Sequence, residues 1–234
     1  MTDSGQTSDP MAMHSPSTMT SRPAVKVCGM RELDNIAGLC ALAVDYMGLI
    51  FYEKSSRFVG PQTAEQRGEI IRLSQEAGIQ RVGVFVNAER TYIEQMIADY
   101  ALDVLQLHGE ESAAECGFWK ARGLQIWKVF SVGSTFDFGQ LTAYDAMCDA
   151  FLFDTKGAKR GGNGRTFDWS VLSDYKQDKA FVLSGGIQVE MASEIADLPF
   201  AQLSVVDINS RFELSPAHKD LERIDQFLKK LKRK

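Results

Sequence analysis

From residue 24 onward, short and almost wholly apolar runs alternate with longer stretches in which apolar residues recur every three or four positions. The short runs span 24–28, 46–52, 81–87, 103–108, 125–130, 150–154, 180–184 and 204–208. Val82-Gly83-Val84-Phe85-Val86 is representative. It lacks the in-out alternation of a half-solvated strand and predicts a strand covered on both faces. The intervening stretches, 33–42, 63–77, 91–100, 112–122, 136–148, 169–175, 189–196 and 219–232, predict helices. In the last of them Leu221, Ile224, Phe227, Leu228 and Leu231 fall on one stripe. Asp34, Ser112 and Asp168 lie at or near helix starts, where a side-chain oxygen satisfies a free backbone N–H.

Eight strand–helix alternations predict an α/β fold, a single (β/α)8 TIM barrel. Each parallel crossover is right-handed and needs a dozen or more residues, which the helical stretches supply. The rival is an open doubly wound sheet, which normally carries a Gly-rich turn after its first strand. Here that turn reads Cys28-Gly29-Met30-Arg31, without G-x-G-x-x-G. Residues 1–23 are rich in Ser, Thr, Met and Pro and show no periodicity, so they predict a disordered N-terminal tail ahead of one catalytic barrel at 24–234.

Composition narrows the function. At 44% hydrophobic and 24% charged residues, the chain can fill a core. A net charge of -5 argues against a nucleic-acid partner, which calls for a concentrated basic face. The basic run Lys229-Lys230-Leu231-Lys232-Arg233-Lys234 ends a predicted helix, where cations complement the macrodipole. No run approaches the roughly 20 apolar residues of a membrane span. The tail lacks the apolar stretch of a secretory signal, and Asp3 and Asp9 beside the single Arg22 do not suit a mitochondrial presequence. The four cysteines, Cys28, Cys40, Cys116 and Cys148, form no C-x-x-C pair, so disulfide and metal readings are both weak. A reducing cytoplasm fits best.

In a parallel barrel the loops after the strands' C-terminal ends assemble the site. Those ends carry Cys28, Lys54 with Arg57, Asn87, His108, Asp154 with Lys156, Ser184-Gly185-Gly186, and Asp207 with Asn209 and Ser210. Cys28 by itself reads as a small buried hydrophobe. Its place before Gly29 and a helix start suggests instead a thiolate stabilised by nearby N–H groups, with a lowered pKa and the fastest alkylation of the four cysteines. Asp154 reads either as an ion-pair partner of Lys156 or as a partly desolvated carboxyl that holds a proton at neutral pH. The Gly-rich, basic loop 157–166 reads as a linker or as a lid over an anionic substrate. Ser184-Gly185-Gly186 and Asp207-Ile208-Asn209-Ser210 follow the seventh and eighth strands, where barrels frequently seat a phosphate.

V-K-V-C-G-M (25–30), G-L-I-F-Y-E-K-S-S-R-F-V (48–59), R-V-G-V-F-V-N (81–87), L-D-V-L-Q-L-H-G-E-E (102–111), F-D-T-K (153–156), G-G-N-G-R-T-F-D-W (161–169), L-S-G-G (183–186) and V-D-I-N-S (206–210) occur in order along the chain. Together they resemble the phosphoribosylanthranilate isomerase family of tryptophan biosynthesis. The resemblance implies an Amadori rearrangement of N-(5-phosphoribosyl)anthranilate, with Asp154 as general acid and Cys28 as general base. It further implies that Arg57 contacts the anthranilate carboxylate, that His108 and Asp207 help bind the substrate, and that Gly185, Gly186, Asn209 and Ser210 hold its phosphate. No cofactor or metal is implied, and the chain would act as a monomer or homodimer on a small phosphorylated molecule. Arg31, Glu53 and Arg211 depart from the family's usual residues and leave local loop details open. Two other functions compete. One is a different phosphoribosyl-sugar isomerase, which would use two aspartates in a duplicated half-barrel. The other is an inactive phosphate-binding barrel, which retention of both Cys28 and Asp154 disfavours.

Overall fold

Strands that are buried on both faces have to be roofed by helices, and ring closure is what removes their edges. The computed structural model describes residues 22–155 and 168–231. It has eight parallel strands: β1 (Ala24–Cys28), β2 (Tyr46–Ile50), β3 (Gln80–Phe85), β4 (Val104–Leu107), β5 (Gln125–Val132), β6 (Ala150–Thr155), β7 (Phe181–Leu183) and β8 (Leu203–Ile208). Each pairs with its sequence neighbour, and β8 pairs back with β1, giving a closed barrel in chain order. Of the expected tail 1–23, residues 1–21 lie outside the described residues, as does the Gly-rich loop 157–166 with Lys156 before it.

Two apolar layers follow from the strand period of two. Inward residues Val82, Val104, Trp127, Val129, Ala150, Leu152, Val182 and Val205 fill the lower barrel, with Cys28, Ile50 and Val84 above them toward the C-terminal ends. Outward residues such as Val25, Val27, Met47, Leu49, Phe151 and Phe153 pack under the helices. Those helices are α1 (Leu33–Cys40), α2 (Ala64–Glu76), α3 (Arg90–Tyr100), α4 (Ala113–Lys120), α5 (Ala192–Ala196) and α6 (Leu221–Lys230). Thr63 opens α2 with a reciprocal capping box, its hydroxyl accepting from Gln66 N while Gln66 Oε1 accepts from Thr63 N. Ser112 and Asp168 accept from the Glu115 and Ser170 amides as expected. Asp34 does not cap: α1 begins after Glu32, without a side-chain cap, and Asp34 sits in the first turn.

Three expected α-helices are wholly or partly 3₁₀ helices, at Phe138–Met147, Trp169–Asp174 and Val189–Met191. In the first two, the apolar residues explain the difference. Phe138, Leu141, Tyr144 and Met147 recur every third position, as do Trp169, Leu172 and Tyr175. A helix with three residues per turn lines up such a series on one face, whereas 3.6 residues per turn would spread it. A short antiparallel pair, β9 (Glu213–Ser215) and β10 (His218–Lys219), follows β8 and was not foreseen.

At the opposite end of the barrel, one device recurs three times. Asp45, Asp103 and Asp149 each immediately precede an even-numbered strand. Each accepts a hydrogen bond from the backbone N–H of Val25, Arg81 or Ile126 at the start of the preceding strand, at 2.7, 2.7 and 2.8 Å. Asp103 also pairs with the buried Arg81 guanidinium at 2.9 Å. Replacing Asp103 with Ala leaves the Arg81 N–H without its acceptor and the guanidinium without its counter-charge, though still bonded to Ala101 O and Ser74 Oγ, and a loss of about 1–3 kcal/mol is expected. Urea denaturation should show that loss while turnover stays near normal. Unchanged stability would contradict the bracing role.

Candidate active site

The strands' C-terminal ends surround a cavity of about 630 Å³. Cys28, Arg57, His108, Asp154, Gly185, Gly186, Asp207, Asn209 and Ser210 all line it, as does Lys54. Asn87 does not. Its side-chain carbonyl accepts from Glu110 N, and its own N–H donates to Glu111, so it ties the loop after β3 to the loop after β4. Arg31 pairs with Glu32 at 2.7 Å, and neither Arg31, Glu53 nor Arg211 lines the cavity.

In β1 the alternation V-K-V-C aims Lys26 and Cys28 at the same inner face, two residues apart. Lys26 is fully buried, and its Nζ donates to Asp207 Oδ1 at 2.9 Å, across the β1–β8 ladder where the two residues are register partners. Gly48 of β2 sits opposite Cys28. A Cβ there would lie 2.9 Å from Cys28 Sγ and 3.1 Å from Lys26 Cε, so a larger residue would displace both. Burial opposes the Lys26 charge, but Asp207 and Cys28 prevail and hold the ammonium above its ordinary pKa. Burial also pushes the Asp207 carboxyl up, with Lys26 pulling it back.

The lowered thiol pKa expected for Cys28 is not what this site makes. Burial pushes the thiol up, and Lys26 only partly offsets that. The reason is visible in the turn: the Gly29 and Met30 N–H groups both donate to Gly48 O, at 2.9 and 3.0 Å, so they are committed to backbone rather than to sulfur.

Asp154, near the end of β6, is 7% exposed. Its Oδ1 accepts from Thr155 N at 2.9 Å, and His108 Nε2 stands 3.6 Å from Oδ2. Gly185 packs directly against it at φ +93°, a left-handed conformation that favours glycine. A Cβ on Gly185 would lie 2.8 Å from Asp154 Oδ1 and 2.2 Å from Thr155 Oγ1. The N–H groups of Gly185, Gly186 and Ser210 make no hydrogen bond among the described residues, which leaves three donors at the cavity wall for an anion.

Arg57 is held from outside the expected set. Its Nε and Nη2 form a two-pronged pair with the Glu213 carboxylate of β9, at 2.8 and 2.7 Å. Lys219 of β10 donates to Glu213 Oε1 at 2.6 Å and to Asn209 Oδ1 at 2.7 Å. Burial would raise Glu213, but Arg57 and Lys219 together hold it below the usual carboxylate range. Sequence reasoning missed Glu213 and Lys219 because nothing marked their hairpin. It passed over Lys26 although the two-residue spacing from Cys28 was there to be read. Among the described residues, no three His, Cys, Asp or Glu side chains are grouped as metal ligands. No helix among them is long and apolar enough to cross a membrane.

The profile of the family described as N-(5'phosphoribosyl)anthranilate (PRA) isomerase matches residues 25–230. The N-(5'-phosphoribosyl)anthranilate isomerase of Parabacteroides distasonis is 40% identical over 207 residues, covering 88% of this chain and 92% of that one. A crystal structure of monomers of the dimeric phosphoribosylanthranilate isomerase from Thermotoga maritima superposes with a TM-score of 0.73 at 32% identity, over 90% of this chain and 98% of that one. A crystal structure of a phosphoribosyl anthranilate isomerase in complex with reduced 1-(o-carboxyphenylamino)-1-deoxyribulose 5-phosphate superposes with a TM-score of 0.71 at 30% identity, over 90% and 98% of the two chains. With the profile matched across nearly the whole barrel, this chain belongs to the phosphoribosylanthranilate isomerase family.

Proposed function

We propose that this isomerase converts N-(5-phosphoribosyl)anthranilate to 1-(2-carboxyphenylamino)-1-deoxyribulose 5-phosphate, a step of L-tryptophan biosynthesis, by an Amadori rearrangement in which Asp154 is the general acid and Cys28 the general base. The observation that carries this reading is the meeting of the two groups, remote in sequence, in one cavity whose wall also presents N–H donors that are unpaired among the described residues.

Asp154 gives its proton to the furanose ring oxygen as the C1–O bond breaks, and the anilino nitrogen's lone pair forms the iminium at C1. Cys28, having released its own proton to solvent, then removes the C2 proton as the thiolate. The C–H electrons form the C1–C2 double bond, and the iminium π pair returns to nitrogen. The resulting enolamine tautomerises to the ketone. The iminium is itself the electron sink, so this sequence calls on no cofactor. Gly185, Gly186, Asn209 and Ser210 hold the phosphate, and their backbone donors suit three anionic oxygens. Arg57 meets the anthranilate carboxylate with the guanidinium edge that Glu213 leaves uncommitted. His108, beside Asp154, and Asp207, above Lys26, complete the substrate-binding wall. All these residues lie on one chain, in a catalytic domain at 24–234, so a monomer or homodimer suffices. A reducing cytoplasm would keep Cys28 as the free thiol it is here.

Cys28→Ala and Asp154→Asn should each lower kcat by about 10²–10⁴-fold while a reduced product analogue still binds. Near-normal turnover in either variant would remove that residue from the mechanism. Because burial raises the Cys28 thiol, the empty protein should carry it protonated at neutral pH. Its alkylation by iodoacetamide, followed by peptide mass mapping, should be slow at pH 7 and still climbing above pH of about 8.5, the ordinary cysteine value. A plateau reached below that value would contradict the burial argument.

A further inference from the structure

A lysine with no exposed surface inside a barrel needs an explanation. Replacing a buried ion pair by apolar side chains of similar volume is often neutral or stabilising, so stability alone does not account for Lys26 and Asp207. Position does offer an account. Lys26 lies one step below Cys28 on the same inner face of β1, and both side chains crowd the space left open by Gly48. The Lys26 ammonium is anchored at 2.9 Å by Asp207, while Ser184 Oγ donates to the other Asp207 oxygen at 3.4 Å. This fixes the lysine under the cavity floor rather than in the substrate's path.

We propose that Lys26 is a positioning residue for the rearrangement: its ammonium, held by Asp207, serves as the counter-charge beneath Cys28 and stabilises the thiolate that takes the C2 proton. The inference rests on Cys28 being the base. It supplies what that role lacks, since the neighbouring backbone N–H groups are already spent on Gly48 O. The sulfur faces Lys26 on its own strand, Asp207 from β8 and Lys219 from β10, with Gly48 contributing no charge from β2. Lys219 is committed to Glu213 and Asn209, so Lys26 is the cation at closest call on the thiolate. Asp207 has two opposed effects: it keeps Lys26 charged, and its own negative charge disfavours a second anion nearby.

The test is read in the full-length protein as the pH dependence of iodoacetamide labelling at Cys28, with turnover measured in parallel. Lys26→Met should move the labelling curve to higher pH by about one to three units, the scale of a lost opposite charge at short range. The kcat loss in that variant should shrink as pH rises. The double variant Lys26→Met with Asp207→Asn, which leaves no unpaired buried charge, should keep the upward shift. A labelling curve unmoved in Lys26→Met or in the double variant overturns the inference. If Lys26→Met does not fold, the double variant decides alone, and an unmoved curve there overturns the inference. The readout separates this inference from the one beneath it: normal turnover in Cys28→Ala would sink the base assignment whatever the labelling shows, whereas an unmoved curve beside a dead Cys28→Ala would sink Lys26 alone.

Discussion

The register between β1 and β8 is the constraint on which the site depends. It places Lys26 against Asp207 at the point where the ring closes, and it turns Cys28 inward with them. Because side chains alternate faces, a slip of one residue would send Lys26 and Cys28 into the apolar layer under the helices and bring Val25 and Val27 into the barrel. The resulting unpaired charge in that layer would cost several kcal/mol. The buried pair therefore disfavours the wrong closure as well as lying beneath the Cys28 thiol. The aspartates ahead of β2, β4 and β6 brace the other end of the barrel, so fold and chemistry occupy separate rims.

Above that floor, small residues determine how close the reacting groups come. Gly48 clears the space beside Cys28, and Gly185 lets the loop after β7 pass against the Asp154 carboxylate. The β9–β10 pair acts at a distance. Glu213 and Lys219 orient Arg57 and Asn209 without lining the cavity themselves. This division suits the proposed reaction, in which one substrate is held at its carboxylate and phosphate ends while protons move near its middle. In that proposal Arg57 takes the carboxylate, backbone takes the phosphate, and titrating side chains at the strand tips serve the middle.

Much of this was legible in the sequence because closed parallel barrels write a strong pattern. Strands buried on both faces read as unbroken apolar runs, and the residues at their ends face one cavity, so Cys28, Asp154 and Asp207 announce themselves by position. The same reasoning went astray where a residue's partner is backbone: the Gly29 and Met30 amides looked like donors to sulfur until the fold committed them to Gly48 O. Apolar spacing of three at 138–147 and 169–175 is close enough to 3.6 to read as an α-helical period until the packing is seen. Glu213 and Lys219 were invisible because a hairpin of three and two residues has no periodicity to detect.

The central claim is that Cys28 and Asp154 work on opposite sides of a single sugar held across the barrel mouth. A crystal structure of this protein with the reduced product analogue tests it most directly. The account predicts Cys28 Sγ facing C2, the Asp154 carboxyl against the oxygen released from the ring, and the phosphate on Gly185, Gly186 and Ser210. An analogue seated with its phosphate elsewhere, or with both side chains reaching the same end of the sugar, would contradict it.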